Sequence, residues 1–391
     1  MIFKLALLSG KGGSGKTTIA LSLAKMLSDC GIKTLLIDCD TATNGATYFF
    51  EAKLEKKERY VSLASLFDVI VSPDATLLQV DNNFWFIPTN TSFPNDNDNT
   101  LYQNKNNFIK NFDILENKHG GFDVVIFDCQ AGYSKILDTV LELSTTNLIV
   151  LEPDAISSSS VRVLYAQVSS LIEKVNTFQI FNKISDEEFD VYNKIIGGTT
   201  FMPLDPIKFN WEVRKAFAFA KVPEMVSTNA EFGNDVFKLA NNLFRPLEKQ
   251  LFDYKRKILT QEREEIELTM KKLEATRYDA VRHQRAYVQK DVSLSAFTLI
   301  FTVFITGMTV MVFFFSGWSI FRTDTYLMLL LFAVPIFTIP YLLYMRRKMD
   351  IRRTLRADMK DAQAKYDYEY SKLMKRISEI DKTMKNNENV C

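Results

Sequence analysis

The chain has 391 residues, 47% hydrophobic and 24% charged, with a net charge of +1. That length exceeds one ordinary domain, and the near-neutral balance makes no whole-chain case for nucleic-acid binding. The cysteines Cys30, Cys39, Cys129 and Cys391 include no C-x-x-C pair, so they offer no zinc or dithiol framework and read as reduced thiols.

The opening "MIFKLALLSGKGG" is not a signal peptide, because its short apolar run flows into a glycine loop. It reads as a first buried strand. The stretch "LLSGKGGSGKTTIALSL", Leu7 to Leu23, then fits the phosphate-cradle pattern G-x-x-x-x-G-K-[ST] from Gly10 to Thr17. "TTIALSLAKMLSDCG" follows with helical apolar spacing and Gly31 as its stop. Strand, loop and helix in this order are the context such a cradle needs. The loop N–H groups, from Gly10, Gly12, Gly13, Ser14 and Gly15, face the phosphates with the helix N-terminus behind them. Lys16 reaches the β- and γ-phosphates, and Thr17 offers a hydroxyl to Mg²⁺. The pattern asks for one lysine, yet Lys11 is a second.

Further along, "TLLIDCD" is a strand ending in Asp38 and Asp40. Carboxylates leaving a buried strand beside the loop can orient water or support Mg²⁺. "FDVVIFDCQAG" puts Asp128 at another strand end, where a Mg²⁺-supporting aspartate belongs, and lets Gly132 offer an N–H to the γ-phosphate. "TTNLIVLEPD" and "TFQIFNK" repeat strand and polar loop. This alternation predicts an α/β fold: a doubly wound, mostly parallel sheet with its ligand at the carboxyl edge. Thr89 to Asn107 is polar and reads as a surface loop.

These stretches together resemble the MinD/ParA family of P-loop ATPases with a deviant phosphate loop. "GKGGSGKTT" resembles the family's loop. "LLIDCDTATNGAT" is similar to its first switch, without the usual proline–glutamine. "FDVVIFDCQAG" is similar to its second switch, with Cys129-Gln130 in place of a small residue and proline. "IFNK" and "MPLDPIKFNWEVRKAFAFAKVPEM" resemble its closing segments. The resemblance covers Met1 to about Phe244. It implies an ATPase that binds ATP and Mg²⁺, with slow, partner-stimulated hydrolysis. It implies that Lys11 crosses a homodimer interface to the partner's nucleotide. It also implies phosphate and Mg²⁺ contacts from Lys16, Thr17 and Thr18, water orientation by Asp40, Mg²⁺ support by Asp128, and adenine contact by Asn182. Asp38 reads as structural.

After residues 1–244, the expected ATPase domain, a charged helical arm is expected over 245–291. Val292 to Phe321 and Thr325 to Met345 carry no charge, each long enough for a membrane span of about 20 residues. They predict a transmembrane hairpin over 292–345, with spans 292–321 and 325–345. Flanking Arg and Lys residues predict an inner-membrane, multi-pass protein with both ends cytoplasmic. A second charged helical arm, 346–391, is expected to pair with the first as an antiparallel coiled coil, within or between chains.

The expected function is a membrane-anchored switch that dimerises on ATP and recruits, positions or regulates an unidentified protein partner. Nucleic acid is not an expected partner, since the N-terminal domain shows no basic stripe. The alternative is a bacterial tyrosine autokinase-like protein, with Tyr366, Tyr368 and Tyr370 as acceptors. Against it, the apolar hairpin follows the nucleotide domain, where in those enzymes it precedes it, and Asp40 is followed by Thr41-Ala42-Thr43 with no arginine; Tyr366 and Tyr370, four apart, read as sharing one helix face.

Overall fold

A computed structural model of the chain describes residues 2–56, 59–68, 76–89, 105–188, 201–315 and 323–388. They fall into two compact units, Met1–Lys255 and Arg256–Cys391. The loop expected over Thr89 to Asn107 lies mostly outside the described residues.

The first unit alternates strand and helix. It begins with β1 (Phe3–Leu8), α1 (Lys16–Asp29), β2 (Thr34–Cys39) and three short helices, α2 (Gly45–Tyr48), α3 (Glu51–Leu54) and α4 (Leu63–Phe67). The strands β3 (Leu78–Asp81) and β4 (Phe84–Ile87) follow, then α5 (Lys105–Lys118), β5 (Val124–Cys129), α6 (Lys135–Leu143), β6 (Thr146–Leu151), α7 (Ala155–Ile172) and β7 (Asn176–Ile184). Two short strands, β8 (Met202–Pro203) and β9 (Ile207–Lys208), and the helices α8 (Trp211–Ala218), α9 (Val222–Thr228) and α10 (Ala230–Leu243) complete the run.

Among the described residues the strands form one sheet in the order β3-β4-β2-β5-β1-β6-β7-β8, with β9 also beside β7. The pairings are parallel except β3 with β4. Parallel strands covered on both faces need apolar side chains at every position, and "LALL" and "VVIF" supply them. Their residues alternate between two core layers. Leu5 and Leu7 pack with Ile19 and Leu23 of α1 and Val236 of α10. Ala6 and Leu8 pack with Phe112 of α5, Val140 of α6 and Leu164 of α7. Each fully buried Leu or Phe contributes about 1.5–3 kcal/mol. The sheet is therefore doubly wound and mostly parallel.

The unit ends inside a long helix, α11 (Glu248–Phe315). Leu251 is fully buried. Phe252 meets Phe237 edge to face at 5.5 Å, and the Tyr254 hydroxyl donates to Asp29 at 3.3 Å. These contacts carry the compact unit past Phe244 to Lys255.

The second unit holds the rest of α11 and α12 (Thr323–Glu388). Arg376 donates to Glu262 at 2.7 Å, Arg263 pairs with Asp381 at 3.2 Å, and Arg277 lies 4.7 Å over the Tyr366 ring. Residues 262 and 263 meet 376 and 381, while residue 277 meets 366, so the arms run antiparallel and pair within this chain. Tyr366 and Tyr370 stack at 5.6 Å on one helix face.

The membrane expectation does not stand. Among the described residues no helix is long and apolar enough to cross a membrane. The integral spans 292–321 and 325–345, and the inner-membrane location drawn from them, are corrected accordingly. Absence of charge is only a necessary property of a span, and a continuous apolar helix of about 20 residues is the sufficient one. Residues 316–322 lie outside the described residues, as do many side chains of 292–345. Those that are described include exposed Phe297, Ile300, Phe301, Phe304 and Leu342.

Candidate nucleotide-binding site

A cavity of about 710 Å³ opens at the carboxyl edge of the sheet. Its lining brings together Gly12, Gly13, Gly15, Lys16, Thr17, Thr18, Asp40 and Asn182, eight of the expected site residues. The lining also includes Phe209 and Asn210 ahead of α8 and Val213, Arg214 and Phe217 within it. Gly10, Lys11, Ser14, Asp128 and Gly132 are not among the lining residues.

The loop between β1 and α1 takes its shape from glycine. Gly13 and Gly15 have φ of 82° and 96°, the left-handed region where only glycine is unstrained. A Cβ on Gly15 would lie 2.1 Å from the Asn182 side-chain amide, and one on Gly10 would lie 2.2 Å from the Ser160 backbone. Gly10 thus lets the loop touch α7, and Gly15 lets it touch β7. Asn182, expected at adenine, donates its Nδ2 to the Ser14 carbonyl at 2.9 Å. The Lys183 ammonium donates to the Gly13 carbonyl. With these two carbonyls bonded to side chains of β7, the loop's N–H groups are left for an anion.

Lys16 is buried, and its Nζ donates to Ser9 Oγ at 2.8 Å. Ser9 Oγ donates in turn to the Lys11 carbonyl at 2.9 Å. The Ser9 carbonyl accepts the Gly132 N–H at 2.8 Å. The Gly132 N–H, expected at the γ-phosphate, is thus engaged within the chain in this structure.

Three carboxylates stand at the strand ends. Asp38 and Asp128 are in register on β2 and β5 and fully buried. Asp38 is saturated: it accepts Asp40 N at 3.1 Å, Thr47 N at 2.8 Å and the Thr47 hydroxyl at 2.7 Å. Burial pushes its carboxyl up to about 6, with the Thr47 bonds opposing. Asp40 accepts Ala42 N and Thr43 N at 3.1 and 3.0 Å and the Thr43 hydroxyl at 2.7 Å, so it also fastens its own loop. Asp128 differs. The nearby Thr17 hydroxyl favours its charged form, yet neither buried oxygen has a bond of ordinary geometry. Burial first, and Asp38 second, push it up to about 7 against the pull of Lys16.

An unsatisfied buried carboxylate beside a P-loop threonine suits a hard cation with oxygen ligands. Among the described residues no group of three or more His, Cys, Asp or Glu side chains could hold a metal. The buried, unbonded Asp128 beside Thr17 fits Mg²⁺ shared with phosphates, which takes only one or two carboxylates; Thr17, Asp40 and Asp128 are the residues that would hold it. Ser14 Oγ is a second buried group without a partner, consistent with an anion in the loop.

Cys39 and Cys129 are register partners beside these carboxylates. Burial pushes both thiols well above their ordinary range. They stay protonated and act as small apolar filler.

Lys11 is tied within its own chain. Its Nζ lies 3.0 Å from Glu152 Oε2 and 3.2 Å from Asp154 Oδ2. Glu152 uses its other oxygen for Lys183 at 2.7 Å. Sequence reasoning missed Ser9, Glu152 and Lys183. Glu152 and Lys183 sit in stretches it did mark, "LIVLEPD" and "IFNK", but nothing local announces that they meet.

Residues 3–180 match the AAA_31 family, an AAA domain. Over 158 residues the chain is 30% identical to an uncharacterised ATP-binding protein of Methanocaldococcus jannaschii, covering 40% of this chain and 56% of that protein. It is 28% identical to the cell division protein PomZ of Myxococcus xanthus, covering 43% of this chain and 52% of that one. The chain thus spans about half the length of these two relatives. Among solved structures, a plasmid-partition-type protein of Borrelia burgdorferi bound to AMPPNP superposes with a TM-score of 0.55 at 21% identity, covering 63% of this chain and 99% of that chain. The superposition shows a shared fold, and the sequence matches place the likeness in the first unit.

Proposed function

We propose that the chain is an ATPase that dimerises on ATP and acts as a nucleotide switch to recruit, position or regulate a protein partner. The observation that carries this reading is the pairing of a complete cradle with a spare lysine. Lys16 lines the cavity and acts electrostatically on the unsatisfied Asp128, while Lys11 lies outside the lining, held by the half-buried carboxylates Glu152 and Asp154. A lysine that its own cavity does not use is available to a second copy docked on that face.

Mg²⁺, when bound, neutralises phosphate charge. The chain's own groups do the rest. The loop N–H groups and Lys16 bind the β- and γ-phosphates, and Thr17 and Thr18 open α1 toward them. Asp40 orients the attacking water, and Asp128 steadies the Mg²⁺ side of the cradle. Asn182 sets the loop against β7 and borders the space for the base. Lys11 of each copy stabilises charge on the other's γ-phosphate, in the manner of an arginine finger. PomZ and the Borrelia protein, by their names, belong to division and partition, which agrees with a positioning role.

The test compares Lys11→Ala and Asp40→Ala with the parent, by light scattering and phosphate release. Lys11→Ala should lose ATP-dependent dimerisation. Asp40→Ala should dimerise and hydrolyse about 10²-fold more slowly. Parent-like behaviour of both variants would refute the switch. The autokinase reading gains no support from the helical, mutually stacked Tyr366 and Tyr370.

A further inference from the structure

Both oxygens of Glu152 are occupied by lysines. Oε2 takes Lys11 at 3.0 Å and Oε1 takes Lys183 at 2.7 Å. The carboxylate is half-buried at the end of β6 and lines the cavity. Asp154, the second partner of Lys11, is already committed as the cap of α7, accepting Ser157 N at 2.7 Å and the Ser157 hydroxyl at 3.0 Å. Lys183 also bonds the Gly13 carbonyl and stands at φ 63°, a left-handed conformation rare outside glycine. Such strain persists only where surrounding contacts hold it, and it gathers at functional sites. One carboxylate thus joins the spare lysine, the strained end of β7 and the phosphate loop.

We propose that Glu152 is a positioning residue that stores Lys11 inside its own chain, so that a partner's nucleotide must compete with this carboxylate before Lys11 can cross. The inference rests on the reading of Lys11 as a residue that acts on a second copy. The chemistry of exchange is plain. An ammonium leaves one carboxylate oxygen for the more highly charged γ-phosphate, and Glu152 keeps Lys183. Because the stored pair is partly exposed, its hold is weak enough to break. The same weakness sets the size of the effect: release should favour the dimer about two- to fivefold, not by orders of magnitude.

Two measurements on the full chain separate the inference from the reading beneath it. The first is pulsed amine acylation of the nucleotide-free protein, with Lys11 modification read by peptide mass spectrometry. The Glu152 and Asp154 bonds hold the Lys11 ammonium in its charged form, and only the free amine is acylated. Glu152→Gln should therefore speed Lys11 labelling by on the order of threefold, and Glu152→Asp should restore part of the protection. Unchanged labelling overturns the inference whatever the dimer does.

The second measurement is ATP-dependent dimerisation across protein concentration, with binding of a fluescent ATP analogue measured in parallel to account for any loosening of the loop through Lys183. Glu152→Gln should lower the dimer dissociation constant about two- to fivefold after that correction, and the gain should vanish in Lys11→Ala/Glu152→Gln. No gain, or a gain that survives without Lys11, overturns the inference. If Lys11→Ala dimerises like the parent, the reading of Lys11 as a residue that acts on a second copy fails, and the labelling result still reports whether Glu152 holds Lys11.

Discussion

Asp128 concentrates the electrostatic conflict among the strand-end carboxylates, since it is fully buried and lacks well-formed hydrogen bonds. Removing its charge while keeping its shape should therefore relieve the free protein and harm the loaded one. Asp128→Asn is expected to be about 1 kcal/mol or more stabler than the parent at pH 8 without nucleotide, by denaturant unfolding. Its Mg²⁺-dependent nucleotide affinity should fall at least about tenfold by titration calorimetry. The pH dependence follows from the same group. Its folded pKa is raised from 3.8 to about 7, so its favourable contribution is complete below about pH 4 and is lost as pH rises toward 7. Mg²⁺ meets the charged form, so the rise in melting temperature caused by Mg²⁺-ADP should be larger at pH 8 than at pH 5.5. A larger rise at pH 5.5 would remove Asp128 from the cation's surroundings. Gly15→Ala sets a Cβ 2.1 Å from the Asn182 amide at φ 96°. It should cost about 1–3 kcal/mol of stability and abolish nucleotide binding.

Among the elements, α7 and β7 act on the cradle from either side. Gly10 lies against α7 and Gly15 against β7, so the loop is clamped between elements that follow it by more than a hundred residues. The long helices obey weaker forces. Their described contacts include exposed ion pairs such as Arg376 with Glu262, whose side chains are 41% and 34% exposed. Such pairs give about 0.2–1 kcal/mol. A double-mutant cycle with Arg376→Ala and Glu262→Ala should return a coupling in that range, shrinking in high salt. A coupling above about 2 kcal/mol would mean the seam is locked by more than these charges.

At the level of the whole molecule, the first unit closes at Lys255 and not with the last residue of α10. Leu251 and Phe252 supply apolar surface that α10 needs covered. A chain truncated after Lys255 should fold and bind nucleotide. One truncated after Phe244 should be less stable by about 3–5 kcal/mol, the burial of two large side chains, as read from denaturant midpoints.

Local spacing made the phosphate loop, the aspartates at two strand ends and the doubly wound sheet legible before any coordinates. Strand periodicity and a glycine loop ahead of a helix are short-range properties, and they survive in any register of the fold. Local spacing also misled. Two charge-free runs read as membrane spans, while among the described residues no helix meets that condition. The rest depended on strand order. β1 lies between β5 and β6, and that order brings Gly132 to Ser9, Glu152 to Lys11 and Lys183 to Gly13. Those contacts join residues more than a hundred positions apart, and no periodicity encodes them. Folding the sheet turned a legible cradle into a site whose spare lysine is already held, by a glutamate that looked like the end of a strand.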